Sequence, residues 1–152
     1  MVNKVSTNFV IEEFVTPELF KSIMKTPNPI EEFYKYVDKR IVDIVQFIRT
    51  KTNKSVVINN WHKGGTYSLR GWRPKNCKIG AKLSTHKTGK AVDFDIVGMT
   101  DDEVKQFVIK HQKELYDLGA RRMESEDFAD TWCHLDLKPV KGYENKIYIF
   151  NP

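Results

Sequence analysis

Two short segments of the chain carry residue types that can bind a metal ion. The first contains His86 and Asp93, and the second contains His134. Two imidazoles and one carboxylate leave the fourth tetrahedral position of zinc open for water, as a catalytic zinc site requires. Oxygen ligands alone would favour calcium or magnesium, whereas the histidines favour zinc. Because a histidine on a strand is often a hydrogen-bonded structural residue, spacing alone leaves both interpretations open.

The first segment is typical of a turn followed by a strand. His86 precedes Gly89, where the backbone can bend sharply and bring a side chain before the turn close to one on the strand. In residues 91–97, alternation puts Asp93 on the face opposite the apolar residues Val92, Phe94 and Ile96. Since the apolar face must contact the core, we expect Asp93 to face solvent or a cleft.

The second segment alternates in the same way. His134 shares one strand face with Trp132 and Asp136, whereas Cys133 and the leucines around it share the other. We therefore expect His134 to project into a cleft and Cys133 to be a small buried core residue. With only two cysteines in the chain and no CxxC pair, a four-cysteine zinc site is excluded and a disulfide framework is not expected.

Together the two segments resemble the signature of the M15 family of zinc peptidases, which includes D-Ala-D-Ala-type carboxypeptidases and endolysin peptidases. That family shares its metal-site architecture with the hedgehog signalling domain. The resemblance covers roughly residues 55–138, with a weaker similarity over residues 8–14, and it implies zinc held by two histidines and one aspartate. Its residues here are Ser84-x-His86-x-x-Gly89-x-Ala91-x-Asp93 and, about forty residues later, Trp132-x-His134.

The resemblance implies a general base, which the sequence places less directly. Many family members have a glutamate three residues before the last histidine, where this chain has Thr131. Other members have the base at the end of the preceding strand, which makes Glu124 the first candidate. Glu126, Asp127 and Asp130 lie in the same connection and remain candidates, although acidic residues in a loop can also simply be solvated.

Two further residues match the family pattern as substrate-binding candidates. Arg73 follows Gly71 and Trp72 in a segment similar to the family's Gly-Tyr-Arg, and its planar guanidinium suits a substrate carboxylate or the scissile carbonyl. Ser84 could bind substrate or brace the turn. Asp136, two residues after His134, could fix the tautomer of a histidine ligand or lie on the surface.

The implied activity is hydrolysis of peptide bonds in the stem peptides of bacterial peptidoglycan, by a zinc-activated water, as a carboxypeptidase or an endopeptidase. Zinc lowers the pKa of a bound water to ~7, and Glu124 would take the proton and deliver it to the leaving amine. The alternative is a zinc-binding but inactive, hedgehog-like module that binds cell wall or a protein partner, for which the threonine at position 131 gives some support.

The elements that must position these residues predict an α+β fold in one domain, with N-terminal helices packed against a small antiparallel sheet that carries the zinc site. A short helix is expected from Pro17 to about Lys25, and an apolar stripe predicts a longer helix from Ile30 to Ile48. Strands are expected over residues 55–59, 91–97, 120–124, 131–137 and 146–150. A capping box at Thr100 predicts a helix that ends near residues 118–119.

Composition limits the partners but does not select one. The chain has 152 residues with 40% hydrophobic and 30% charged residues, and a formal charge of +5. No block of five or six like charges marks a nucleic-acid arm, so a nucleic-acid-binding domain is supported only by the overall charge. No apolar run is long enough to span a bilayer. We expect a monomer without bound nucleic acid, made in the cytoplasm without a signal peptide and acting on cell wall after release, as phage or prophage enzymes do.

Overall fold

The first helices begin where local capping predicts them. The computed structural model describes residues 3–125, 129 and 131–152. Helix α1 (Pro17–Met24) has proline at its first position, and the Thr16 hydroxyl accepts a hydrogen bond from the Leu19 N–H at 3.3 Å. The helix predicted from Pro17 is therefore confirmed, and its buried residues face the core.

The long helix predicted from Ile30 to Ile48 is wrong, because the structure divides it into α2 (Pro29–Phe33) and α3 (Lys39–Thr52). Asp38 separates them: its carboxylate accepts a hydrogen bond from the Arg40 N–H at 3.0 Å and caps α3. Its own N–H donates to the Gly89 carbonyl at 3.0 Å. The apolar stripe continues across this break because both helices bury residues in the same core, so periodicity alone could not locate it.

The sheet contains five strands in the order β1, β2, β4, β3, β5. Their bounds are β1 (Val56–Val57), β2 (Ala91–Ile96), β3 (Arg122–Glu124), β4 (Cys133–Asp136) and β5 (Tyr148–Phe150). The α+β class is confirmed, and three of the four strand pairings are antiparallel as predicted. The fourth, between β3 and β5, is parallel. Strand β5 runs opposite to β4, but β3 already occupies that edge of β4, so β5 pairs with the outer edge of β3.

Two short helices follow β2 where the sequence predicts one. Helix α4 (Asp101–Lys110) begins with the predicted capping box, in which Thr100 and Glu103 exchange side-chain to backbone hydrogen bonds. A break at His111 separates it from α5 (Gln112–Asp117). Helix α4 contacts both β2 and β4, the two strands that carry predicted ligands.

The hydrophobic core lies against one face of the sheet. Its members include the residues of β2 and β4 that alternate with the predicted ligands, namely Val92, Phe94, Ile96, Cys133 and Leu135. Helices α1 to α5 all contribute buried side chains to this core. Because side chains alternate along a strand, Asp93 and His134 are directed to the opposite face. Within the described residues, no helix has the length and apolar character needed to cross a membrane.

Candidate metal centre

The strand register brings the polar residues of three strands into one row. Asp93 on β2 lies directly opposite His134 on β4. Strand β3 pairs with β4 through Met123 and Leu135, so continuing that register by one residue puts Glu124 opposite His134. Glu124 in turn lies opposite Phe150 on β5. Alternation and register therefore place Asp93, His134 and Glu124 side by side on the face that the core does not cover.

A short 3₁₀ turn, Thr85–Thr88, presents the remaining histidine to this row. Ser84 caps the turn, with its hydroxyl oxygen accepting a hydrogen bond from the His86 N–H at 3.3 Å. Gly89 ends the turn with φ of 68°, a left-handed conformation. A Cβ at Gly89 would lie 1.8 Å from the Tyr36 carbonyl oxygen, so the position requires glycine for two separate reasons.

His86, Asp93 and His134 form a compact triangle of ligand atoms. His86 Nε2 lies 3.3 Å from His134 Nδ1 and 3.2 Å from Asp93 Oδ1, and the third edge, between His134 Nδ1 and Asp93 Oδ1, is 2.8 Å. Tetrahedral ligands ~2.0–2.1 Å from a zinc ion would be about 3.3 Å apart, close to the length of two of these edges. All three residues are buried, with at most 6% of their surface exposed.

The outer ring nitrogens fix the orientation of both histidines. His86 Nδ1 lies 2.8 Å from the Gly71 carbonyl oxygen, and His134 Nε2 lies 3.0 Å from Asp136 Oδ2. Since carbonyl and carboxylate oxygens only accept hydrogen bonds, each outer nitrogen must carry the proton. The inner nitrogens, His86 Nε2 and His134 Nδ1, then present lone pairs to the triangle, so the donor set fits a metal ion. The geometry does not identify which metal.

The same contacts shift the acid–base properties of the cluster. Burial alone would lower the pKa of His134, but its hydrogen bonds to Asp136 and Asp93 outweigh burial and raise the pKa to about 9. Burial would raise the pKa of Asp93, but the charge of His86 and hydrogen bonds to both histidines hold it well below its usual range. Metal binding to this cluster must therefore displace a proton.

Arg73 lies against the ligand cluster. One of its terminal nitrogens, Nη2, donates to Asp93 Oδ2 at 3.1 Å, and Nε donates to the Leu69 carbonyl at 2.7 Å. The other terminal nitrogen, Nη1, points towards Gly80, where a Cβ would lie 2.8 Å from it. Arg73 thus braces a metal-ligand carboxylate with one side of its guanidinium and faces the cleft with the other.

A cleft of about 490 Å³ opens over the triangle, and its lining includes all six residues singled out from the sequence: Arg73, Ser84, His86, Asp93, Glu124 and His134. Glu124 is half-buried at the end of β3. Burial raises the pKa of its carboxyl group, partly offset by the charge of His134. The other base candidates, Glu126, Asp127 and Asp130, lie outside the described residues. Thr131 is described, but it does not line the cleft.

Some site residues escaped the sequence analysis. Arg122 forms an ion pair with Asp136 at 2.7 Å, so Asp136 is a buried partner of His134 and not a surface residue. Arg122 shares a strand face with Glu124, and that alternation was a usable signal. Phe150, whose ring centroid lies 5.8 Å from that of His134, is distant in sequence from both motifs. Gly71 contributes only its carbonyl oxygen, for which a side-chain pattern gives no signal.

Comparisons with protein-family models, with curated proteins and with solved structures found no match to this chain. The argument for function therefore depends on the residues and geometry of the cleft.

Proposed function

We propose that the chain is a zinc metallopeptidase that hydrolyses peptide bonds in the stem peptides of bacterial peptidoglycan. The observation that carries this proposal is the buried triangle of His86, Asp93 and His134 at the floor of a cleft that also contains Glu124. Two neutral imidazoles and a carboxylate form a ligand set used by catalytic zinc sites, with a fourth position for water or substrate. The resemblance of the two motifs to M15 peptidases supports the substrate class.

Zinc would supply a water of lowered pKa and a Lewis acid for the scissile carbonyl. Glu124 would accept the proton of the attacking water and pass it to the leaving amine. Its raised pKa suits this role, because a base with a pKa nearer neutrality is also a better acid for the second transfer. Arg73 Nη1 would donate to a substrate oxygen near Gly80, and Ser84 would act beside it or only brace the turn.

A second candidate function is a zinc-binding module without catalytic activity. The specific observation in its favour is that Thr131 stands where many M15 members carry the catalytic glutamate. Zinc would then stabilise the fold or a binding surface, and Glu124 would only line the cleft. The two candidates share the metal site and differ only in hydrolysis.

The experiment that separates them is digestion of purified peptidoglycan, followed by mass spectrometry of the muropeptides. We expect stem peptides shortened at one bond type, no products when a chelator is present, and restored activity when zinc is added back. The masses also identify the bond. Glu124→Gln should abolish the products while the zinc content stays unchanged, and Glu144→Gln, at an exposed position, is the matched control.

Two outcomes would contradict the peptidase proposal. Purified protein that binds no zinc would overturn both candidate functions. Protein that binds one zinc ion per chain but produces no shortened muropeptide would favour the inactive module.

A further inference from the structure

The charges of this chain are divided unequally along its sequence. Residues 44–92 contain 11 of the 25 lysines and arginines and none of the 20 acidic residues. The remaining 103 residues therefore hold 14 basic and 20 acidic residues, which gives +11 for the segment and −6 for the rest. The modest net charge of +5 conceals this asymmetry. A stretch of 49 residues without an acid concentrates positive potential wherever it folds together.

The segment folds around one side of the metal centre. It includes the Arg73, Ser84 and His86 positions of the cleft. Its arginines at positions 70 and 73 are used internally, in ion pairs with Asp95 and Asp93. Its lysines differ: all are exposed except Lys87, which is half-buried, and none forms an ion pair with any described residue. The unneutralised charge of the segment thus lies on the surface beside the cleft.

Some of these lysines surround a hollow of about 400 Å³, which we call the lysine hollow. Lys35, Lys75 and Lys87 line it together with the rings of Tyr36 and Trp72, and no acidic side chain lines it. The two rings meet edge to face with centroids 5.8 Å apart. Lys35 is paired with Glu32 at 2.6 Å, which leaves Lys75 and Lys87 as its free cations within the described structure.

The lysine hollow is adjacent to the metal centre through the covalent chain. Trp72 precedes Arg73, and Lys87 follows His86, so each wall of the hollow continues directly into a residue of the cleft. A polymer held in the hollow would therefore keep the cleft close to whatever the polymer is attached to. Backbone and aromatic rings form the floor, and the charged groups stand at the rim, an arrangement that suits a thin, flexible anionic chain.

We propose that the lysine hollow binds an anionic wall polymer of the poly(glycerol phosphate) type and so retains the chain on its peptidoglycan substrate. This inference rests on the proposed function for its choice of polyanion. Repeated phosphodiesters match the lysine ammonium groups, and a single polyol chain is narrow enough to enter the hollow. A duplex nucleic acid carries its phosphates on a wide, rigid cylinder and would contact only the rim.

The test is binding of the zinc-loaded chain to purified, labelled poly(glycerol phosphate) by fluorescence anisotropy at low salt. This polymer has no peptide bond, so the result does not depend on peptidase activity. We expect Lys75→Glu combined with Lys87→Glu to weaken binding at least about tenfold, and added salt to weaken binding of the unmodified chain. Lys110→Glu combined with Lys113→Glu is the matched control, because it makes the same charge change outside the segment at exposed positions.

Further measurements on the same preparations decide the remaining outcomes. Both double variants should retain their zinc content, which shows that a loss of polymer binding does not come from a damaged metal site. Equal binding by the two double variants would overturn the proposal. Tighter binding to duplex DNA or to vesicles of anionic phospholipid than to the polymer would also overturn it, in favour of a nucleic acid or a membrane surface. Failure of the muropeptide digest together with the expected polymer binding would refute only the peptidase.

Discussion

The two sides of the cleft are constructed differently. On one side His86, Asp93 and His134, the ligand cluster, are buried, and each has a partner outside the cluster: the Gly71 carbonyl, Arg73 and Asp136 respectively. On the other side Glu124 is half-buried, and no described residue donates a hydrogen bond to its carboxylate. The ligand cluster is therefore held in place from behind, whereas the candidate base is positioned only by its strand.

This difference follows from what each group has to do. A metal ligand must keep one orientation, because a shift of a few tenths of an ångström changes the coordination geometry. A general base must gain and lose a proton, and a carboxylate already saturated with hydrogen bonds would be a poor acceptor. The contrast supports metal binding directly and is compatible with catalysis, so separate measurements of affinity and turnover can test each side.

Removing one ligand should give the largest effect. We expect His134→Ala to lower zinc affinity by more than the ~10–100-fold typical for losing an outer partner of a ligand, and to abolish hydrolysis. His86→Ala should do the same. Zinc content after gel filtration and a competition titration with a chromophoric chelator measure the affinity. The control is His111→Ala, because His111 contacts Glu114 and Phe107 and not the cleft. Unchanged zinc affinity in either ligand variant would refute the triangle as a metal site.

Changing the candidate base should affect turnover alone. We expect Glu124→Gln to reduce the rate of peptide hydrolysis by ~10²–10⁴-fold, the usual contribution of general acid–base catalysis, without changing zinc affinity. In the unmodified chain, burial raises the pKa of Glu124. Because the base must be ionised, activity should be complete above that pKa and should fall as the pH drops through it, at a higher pH than for an ordinary glutamate.

The pH dependence of the rate, measured on a soluble stem peptide, tests this assignment. The acidic limb should disappear in Glu124→Gln, leaving a low rate that no longer rises across that range. An unchanged acidic limb in this variant would show that another group is the base, in which case Glu126, Asp127 and Asp130 become the next positions to replace.

The sequence predicted the ligand cluster better than its surroundings, for physical reasons. Strand alternation and the two motifs depend on local spacing, so they identified His86, Asp93 and His134 and the strands that carry them. The break between α2 and α3 depends on Asp38 contacting Gly89, a pairing of residues far apart in the chain. The parallel pairing of β5 and the packing of Phe150 beside His134 likewise depend on topology, which periodicity does not contain.

The turn that presents His86 should be sensitive to a single added methyl group. We expect Gly89→Ala to lower the free energy of unfolding by about 3 kcal/mol, because it combines a left-handed φ with a clash against the Tyr36 carbonyl. Gly142→Ala is the matched control: its φ is also positive, at 85°, but a Cβ there meets nothing within 4 Å. It should cost only about 1 kcal/mol.

Urea denaturation of the zinc-loaded variants measures both values. Similar losses for Gly89→Ala and Gly142→Ala would show that the backbone conformation, and not the approach of Tyr36, requires glycine at position 89. In that case the support of the ligand cluster by the helical half of the chain would be weaker than the geometry indicates.

The smallest effect is expected from the outer partner of His134. In Asp136→Asn the amide can offer its oxygen to His134 Nε2, but it loses the charge that Arg122 neutralises and that favours the protonated outer nitrogen. We expect zinc affinity to fall by about 10-fold, at the lower end of the range for such partners. Asp95→Asn is the control, because Asp95 also pairs with an arginine on the same sheet but does not contact a ligand.

A tautomer measurement makes this prediction independent of fold stability. In the unmodified zinc-loaded chain, the nitrogen chemical shifts of His134 should show the proton on Nε2 and the metal on Nδ1. If Asp136→Asn lowers the affinity while leaving that assignment intact, Asp136 acts through the basicity of the imidazole. If the affinity of Asp136→Asn equals that of Asp95→Asn, the contact at 3.0 Å contributes nothing to metal binding, and strand register alone positions His134.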